Sequence, residues 1–225
     1  MVGKDLKIKV CGMNQDEVHN FLNLKVNYVG NIFFESSPRN QDKTLGFETI
    51  GKDTAKVGVF VFKGLGVDIS ETEIDEILVN KILPLKRKHQ FDVIQFHGGE
   101  PDKLIKAAKS QLGLKEVWKV FSIGEDFDFS ELQNYPSADL FLFDTKTKKH
   151  GGTGKKFNWS LLNRIDKESQ KKYFLAGGIG PGDAKEIKRL KLKNLIGLDL
   201  NSRFEIEPGI KDVKLLKEFL NELRA

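Results

Sequence analysis

Residues 141–145, Phe141-Leu142-Phe143-Asp144-Thr145, form an apolar run of strand composition that ends on a carboxylate and leads through lysines into Gly151-Gly152-Thr153-Gly154. A strand buried on both faces reads as a continuous apolar run rather than an alternating one. A polar residue released at the carboxyl end of such a strand falls where α/β proteins build their sites. Asp144 is therefore a candidate for chemistry; the alternative is a carboxylate that only caps a turn.

Similar runs recur on both sides of this stretch, over residues 6–10, 28–34, 55–62, 92–96, 115–121, 140–143, 173–176 and 195–200. Segments of helical period lie between them. Asn14 with Glu17 resembles a helix cap ahead of Val18, Phe21 and Leu22, and Ser70 with Glu73 forms a capping box ahead of Ile74, Ile77 and Leu78. Pro84 kinks or ends that second helix. Pro101 stands in the first turn of a helix carrying Leu104, Ile105 and Ala108, a weaker helix covers 128–133, and 159–165 supplies the next crossover. Pro181 lies just inside another helix, and Leu216, Phe219, Leu220 and Leu223 share one face of the last. Strict strand–helix alternation predicts a parallel sheet, and eight repeats favour a closed (β/α)8 TIM barrel over an open sheet of five or six strands. No composition shift divides the chain, so residues 1–225 are read as one domain.

The length of 225 residues suits a barrel of this class, which commonly runs roughly 200 to 250 residues. With 39% hydrophobic and 31% charged residues, the composition is that of a globular chain and not a disordered one. The net charge of +5 comes from lysines spread along the chain, with no basic stripe, interleaved aromatics or recognisable module for nucleic acid. The single cysteine, Cys11, excludes an intrachain disulfide, and no Cys/His spacing suggests a zinc site. Lys4, Lys7 and Lys9 interrupt the only early apolar stretch, which argues against a secretory leader or membrane span and for a cytoplasmic protein. A monomer and a homodimer are equally compatible with these patterns.

In a (β/α)8 barrel the polar residues just beyond each strand converge on one mouth. Here they are Cys11, the Ser36-Ser37-Pro38-Arg39 loop, His97, Asp144, Gly177-Gly178 and Asn201-Ser202. Glycines after the seventh strand free backbone amides for an anion, and the loops after strands seven and eight form the usual phosphate site of the fold. Gly177 and Gly178 fit that role, with Asn201 and Ser202 as further donors; the alternative is a tight strand-to-helix turn. Arg39 offers a planar fork suited to a carboxylate. Cys11 lies where a helix start favours a thiolate, although a buried inert cysteine is the commoner case. Leu142 and Phe143 make an apolar neighbourhood that would keep Asp144 protonated, as an acid requires. A thiolate base and a carboxylic acid together can move a proton within one substrate.

The collinear segments Lys9-Val10-Cys11-Gly12-Met13, Ser36-Ser37-Pro38-Arg39, Val57-Gly58-Val59-Phe60-Val61, Gln95-Phe96-His97-Gly98, Phe143-Asp144-Thr145, Gly151-Gly152-Thr153-Gly154, Leu175-Ala176-Gly177-Gly178 and Gly197-Leu198-Asp199-Leu200 resemble the phosphoribosylanthranilate isomerases of tryptophan biosynthesis. The resemblance implies a cofactor-free, metal-free Amadori rearrangement of a phosphorylated small molecule, with Cys11 as general base, Asp144 as general acid, Arg39 on the anthranilate carboxylate, and Gly177, Gly178, Asn201 and Ser202 around the phosphate. Where that family usually has two hydroxyl residues and a glycine, this chain has Asn201-Ser202-Arg203. Two other readings are a barrel that only binds a phosphorylated ligand, which predicts a damaged acid or base, and an enzyme for another sugar phosphate, which has no use for Arg39. The roles of His97 and Asp199 stay open, and His97 has no partner at metal spacing as the metal-dependent epimerases of this fold require.

Overall fold

The computed structural model describes residues 6–13, 24–42, 53–146 and 156–225. The cap and apolar positions expected over 14–22, and the glycine loop 151–154, lie outside the described residues. Among those described, eight strands close into a barrel in chain order: β1 (Lys7–Cys11), β2 (Tyr28–Phe33), β3 (Ala55–Phe60), β4 (Val93–Phe96), β5 (Glu116–Ile123), β6 (Leu140–Thr145), β7 (Tyr173–Leu175) and β8 (Leu195–Leu200). Every neighbouring pair is parallel, and β8 returns to β1 with Asp199 opposite Lys9.

Side chains alternate between the two faces of a strand, and both faces here are buried. Val57, Val59, Val93, Trp118, Val120, Leu142 and Phe174 fill the barrel. Ile8, Val10, Ile94, Phe96, Phe141 and Phe143 pack outward under the helices. This double burial is the reason the strands read as unbroken apolar runs. Inside, Trp118 stacks on Phe174 with centroids 5.2 Å apart, and Tyr28 meets both rings edge-on at 4.9 and 5.7 Å. The interior is thus packed solid, and the carboxyl ends of the strands carry its polar residues.

The Ser70–Glu73 capping box forms as expected and starts α1 (Glu71–Glu76). The chain continues through a π-helical turn, Ile77–Ile82, into α2 (Leu83–His89), with Pro84 in the first turn of α2. The proline therefore does not end the helix; the wider turn before it takes up the backbone that a missing N–H disrupts. The remaining α-helices among the described residues are α3 (Asp102–Gln111), α4 (Leu162–Glu168), α5 (Ala184–Arg189) and α6 (Val213–Arg224). Pro101 is extended, with φ −75° and ψ 158°, and caps α3 instead of entering its first turn. The weak helix expected over 128–133 is a 3₁₀ turn, Phe129–Asn134, started by the Asp128 side chain accepting from the Ser130 N–H. An unanticipated antiparallel pair, β9 (Glu205–Glu207) and β10 (Ile210–Lys211), follows β8 and turns on Pro208-Gly209. No helix among the described residues is long and apolar enough to cross a membrane.

At the end of α2, His89 is buried, its ring 4.8 Å from Phe33, and neither ring nitrogen has a hydrogen-bond partner among the described residues. Burial and then the Lys88 cation push it down from 6.5 to about 4, with Asp42 opposing and Lys56 adding to the effect. The unfolded chain thus takes up this proton first, and stability drains away as pH falls from about 6.5 toward 4. In thermal melts across that window, His89→Leu is expected to flatten the pH dependence of Tm; an unchanged slope would assign it to other groups.

Candidate active site

Cys11 is the last residue of β1 and Asp144 the last but one of β6, so both reach the carboxyl end of the barrel. Inward alternation places Lys9 on the same face as Cys11. The Lys9 side chain is fully buried; its ammonium donates to Asp199 Oδ2 at 2.9 Å and lies near enough to the Cys11 sulfur to interact with it electrostatically. Burial alone would lower the Lys9 amine, but Asp199 and Cys11 reverse the effect and hold it above the usual lysine range. For the thiol, burial is the dominant influence and pushes it up; Lys9 and Lys211 pull it back, while Asp199 adds to the rise.

Asp144 does not have the apolar surroundings expected of it. Of its neighbours in sequence, Phe143 packs into the outer core on the opposite face, and Leu142 shares the inward face but sits a layer deeper in the barrel. The carboxylate is 28% exposed, Oδ1 accepts from the Thr145 N–H at 2.7 Å, and Oδ2 stands 3.3 Å from His97 Nε2. His97 itself is placed by a buried clamp: Glu100 accepts from the Gly98 and Phe62 N–H groups, both at 2.7 Å, and pairs with Lys119 at 3.3 Å. The acid side of the mouth is thus a carboxylate–imidazole pair on β6 and β4. Asp199 is within electrostatic reach of Lys9 and Cys11 and also of Asp144 and His97, which ties the two sides together. A cavity of ≈ 540 Å³ opens beside His97, between Phe62, Ser122, Phe127 and Lys146. Cys11, Arg39 and the glycines after β7 are not among its walls.

Gly177 and Gly178 both have positive φ, +77° and +69°. A β-carbon on residue 177 would sit 2.4 Å from the Thr145 nitrogen and 2.7 Å from Asp144 Oδ1, so only glycine lets the loop after β7 lie against this carboxylate. Arg203 settles over this loop, its Nε 3.1 Å from where a β-carbon of Gly180 would be. Asn201 and Ser202 lie half-buried after β8, but Asn201 Oδ1 is taken by Lys211 Nζ at 2.7 Å.

Arg39 reaches the β1 side of the mouth already engaged. Its Nε donates to both oxygens of Glu205, at 2.9 and 3.0 Å, and Nη2 to Oε2 at 2.5 Å. Lys211 donates to Glu205 Oε1 at 2.5 Å. Burial opposes the charge on Glu205, yet Arg39 and Lys211 outweigh it and hold the carboxyl below its usual range. The fork therefore has one edge committed to the protein and Nη1 left for another acceptor. Glu205, Lys211 and Lys9 were not singled out by sequence reasoning, and Asp199 was noted only as a residue of open role. The Pro208-Gly209 turn signal marks the hairpin that carries the first two, and the period-2 spacing of Lys9 from Cys11 marks the third. Among the described residues, no group of three His, Cys, Asp or Glu side chains is placed to share a metal ion.

The sequence matches the family model for N-(5'-phosphoribosyl)anthranilate (PRA) isomerase over residues 8–222. It is 33% identical over 219 residues to the N-(5'-phosphoribosyl)anthranilate isomerase of Parabacteroides distasonis, covering 96% of this chain and 92% of the relative. In fold it is similar to the phosphoribosyl anthranilate isomerase of Thermus thermophilus, with TM-score 0.75 and 24% identity over 97% of this chain and 98% of the other. It is also similar to a phosphoribosyl anthranilate isomerase solved in complex with reduced 1-(o-carboxyphenylamino)-1-deoxyribulose 5-phosphate, with TM-score 0.72 and 22% identity over 97% and 98% of the two chains.

Glu205 is the counter-ion shared by buried Lys211 and partly buried Arg39, so Glu205→Ala removes the carboxylate that both cations are paired with here. Removing one partner of a buried ionic cluster typically costs about 3 to 5 kcal/mol. Urea unfolding should show a loss of that size, while a variant within about 0.5 kcal/mol of the parent would mean the cluster is held by water instead.

Proposed function

Since this chain belongs to the N-(5'-phosphoribosyl)anthranilate isomerase family, we propose that Cys11 and Asp144 carry the proton transfers of that isomerase, within one barrel domain spanning residues 1–225. The protein converts N-(5'-phosphoribosyl)anthranilate into 1-(2-carboxyphenylamino)-1-deoxyribulose 5-phosphate, a step of tryptophan biosynthesis. Asp144, as acid, protonates the ribose ring oxygen, and the ring opens to a Schiff base at C1. Cys11, as thiolate, then takes the proton from C2. The C2–H electron pair becomes the C1–C2 double bond, and the iminium pair moves to nitrogen, giving the enolamine. Transfer of the hydroxyl proton to C1 leaves the ketone at C2.

The observation that carries this reading is the delivery of a thiol by β1 and a carboxylate by β6 to the same end of one closed barrel, with Asp199 in electrostatic reach of both. His97 stands where it can pass a proton to Asp144 or orient it. Gly177 and Gly178, with Asn201 and Ser202, frame the phosphate, and Arg203 adds a cation over the same loop. The substrate then stretches from β7 and β8 across the mouth toward Arg39, whose Nη1 meets the anthranilate carboxylate while Glu205 steadies the other edge. The lone cysteine agrees with work in a reducing cytoplasm. The enzyme acts as a monomer or as a homodimer.

Each of the two groups is expected to contribute at least about a hundredfold to the rate. Following the loss of substrate fluorescence, Cys11→Ala and Asp144→Asn should each lower kcat by at least about two orders of magnitude. Full activity in either variant removes that residue from the mechanism.

A further inference from the structure

A buried thiol is a poor base, because burial favours its neutral form. Burial is the largest influence on Cys11, yet the proposed mechanism needs a thiolate there. The barrel supplies a cation beside it. The Lys9 and Cys11 side chains leave β1 on the same face, and the register sets Cys11 opposite Gly30 and Lys9 opposite Asp199. A β-carbon on residue 30 would lie 2.6 Å from the Cys11 sulfur and 3.0 Å from Lys9 Nζ. The missing side chain of Gly30 is thus the space in which the amine and the thiol meet. Lys9 has no exposed surface, and among the described residues its charge is met by Asp199, with Oδ2 at 2.9 Å, and by Cys11.

We propose that Lys9 is the positioning residue that turns Cys11 into a base: an ammonium anchored by Asp199 and directed by the gap at Gly30 onto the sulfur, stabilising the thiolate before it takes the C2 proton. The charged groups facing the sulfur are Lys9 on its own strand, Asp199 on β8, Lys211 on β10 and Arg39 after β2. Lys9 and Lys211 favour the thiolate, and Asp199 opposes it while holding Lys9 in place. Arg39 and Lys211 share Glu205 as counter-ion, whereas Lys9 spends its charge between Asp199 and the sulfur. When the thiolate becomes a thiol, Lys9 keeps Asp199 as partner, so no charge is stranded at any stage. The inference rests on the assignment of Cys11 as base.

Cys11 is the only cysteine in the chain, so alkylation by iodoacetamide as a function of pH reports its ionisation alone. Lys9→Met combined with Asp199→Asn removes both charges and leaves neither ion buried without a partner. Gly30→Ala retains every charge and wedges a methyl group between sulfur and amine. Both are expected to raise the alkylation midpoint by at least about one pH unit, which is about tenfold slower reaction at pH 8. They should also lower kcat by at least about tenfold with KM changed less than about threefold. Lys9→Arg, which retains a cation, should recover part of the loss. A folded variant of either design, checked by circular dichroism, with the wild-type midpoint overturns the proposal. Alkylation needs no substrate, so it separates this idea from the role of Cys11: an active Cys11→Ala would end that role and leave the Lys9–Cys11 linkage to be judged on the midpoint.

Discussion

The barrel closes where β8 meets β1, and at that seam Lys9 faces Asp199 inside the protein. Burying two ions is expensive, and a well-packed apolar pair of similar volume often serves stability as well or better. The pair is therefore poorly explained as a fastening. Its position explains more: it stands directly beneath Cys11, and its carboxylate feels both the thiol side and the Asp144–His97 side of the mouth. Packed against it is the aromatic and aliphatic filling of Tyr28, Trp118 and Phe174.

From this seam the mouth divides into two electrostatic halves. On the β1, β2 and β8 side, cations dominate: Lys9, Arg39 and Lys211 face two carboxylates, Asp199 and Glu205. On the β4 and β6 side stand a half-buried carboxylate and an imidazole. A substrate with an acidic group at each end and a proton to move in its middle suits such a layout, because the cationic half both attracts the anion and favours a thiolate. The order of these groups depends on backbone devices as much as on charge. Glycine at 30 lets the amine and the thiol approach each other, glycine at 177 lets the loop after β7 rest on the Asp144 carboxylate, and the Glu100–Lys119 clamp holds the strand end that carries His97.

The barrel itself was legible in the sequence because double burial leaves nearly unbroken apolar runs, and eight such runs separated by helical segments admit few topologies. The positions of Cys11 and Asp144 at the carboxyl ends of their strands were legible because each ends a run. The interior charges were not. Lys9 reads as an interruption of an apolar strand, and nothing local reveals that its partner stands at residue 199, across the closing seam. Arg39 reads as an open fork, while its actual partner, Glu205, sits on a hairpin that only the Pro208-Gly209 turn announces. The surroundings of Asp144 were misread because residues adjacent in sequence point to opposite faces of a strand, so Phe143 says nothing about what the carboxylate touches. Pro84 was read as a helix kink or terminator, whereas a π-helical turn absorbs it, a tertiary solution that local propensity does not contain.

The central claim is that one ligand, held in one mouth, touches both the thiol of β1 and the carboxylate of β6. A crystal structure of this protein with reduced 1-(o-carboxyphenylamino)-1-deoxyribulose 5-phosphate tests it most directly. The account predicts the Cys11 sulfur at about 3.5 Å from the C2 carbon, near reacting distance. It also places Asp144 within hydrogen-bond reach of a sugar oxygen and the phosphate against Gly177 and Gly178. A ligand bound with either side chain out of contact, or seated in the cavity beside His97 away from Cys11, would contradict it.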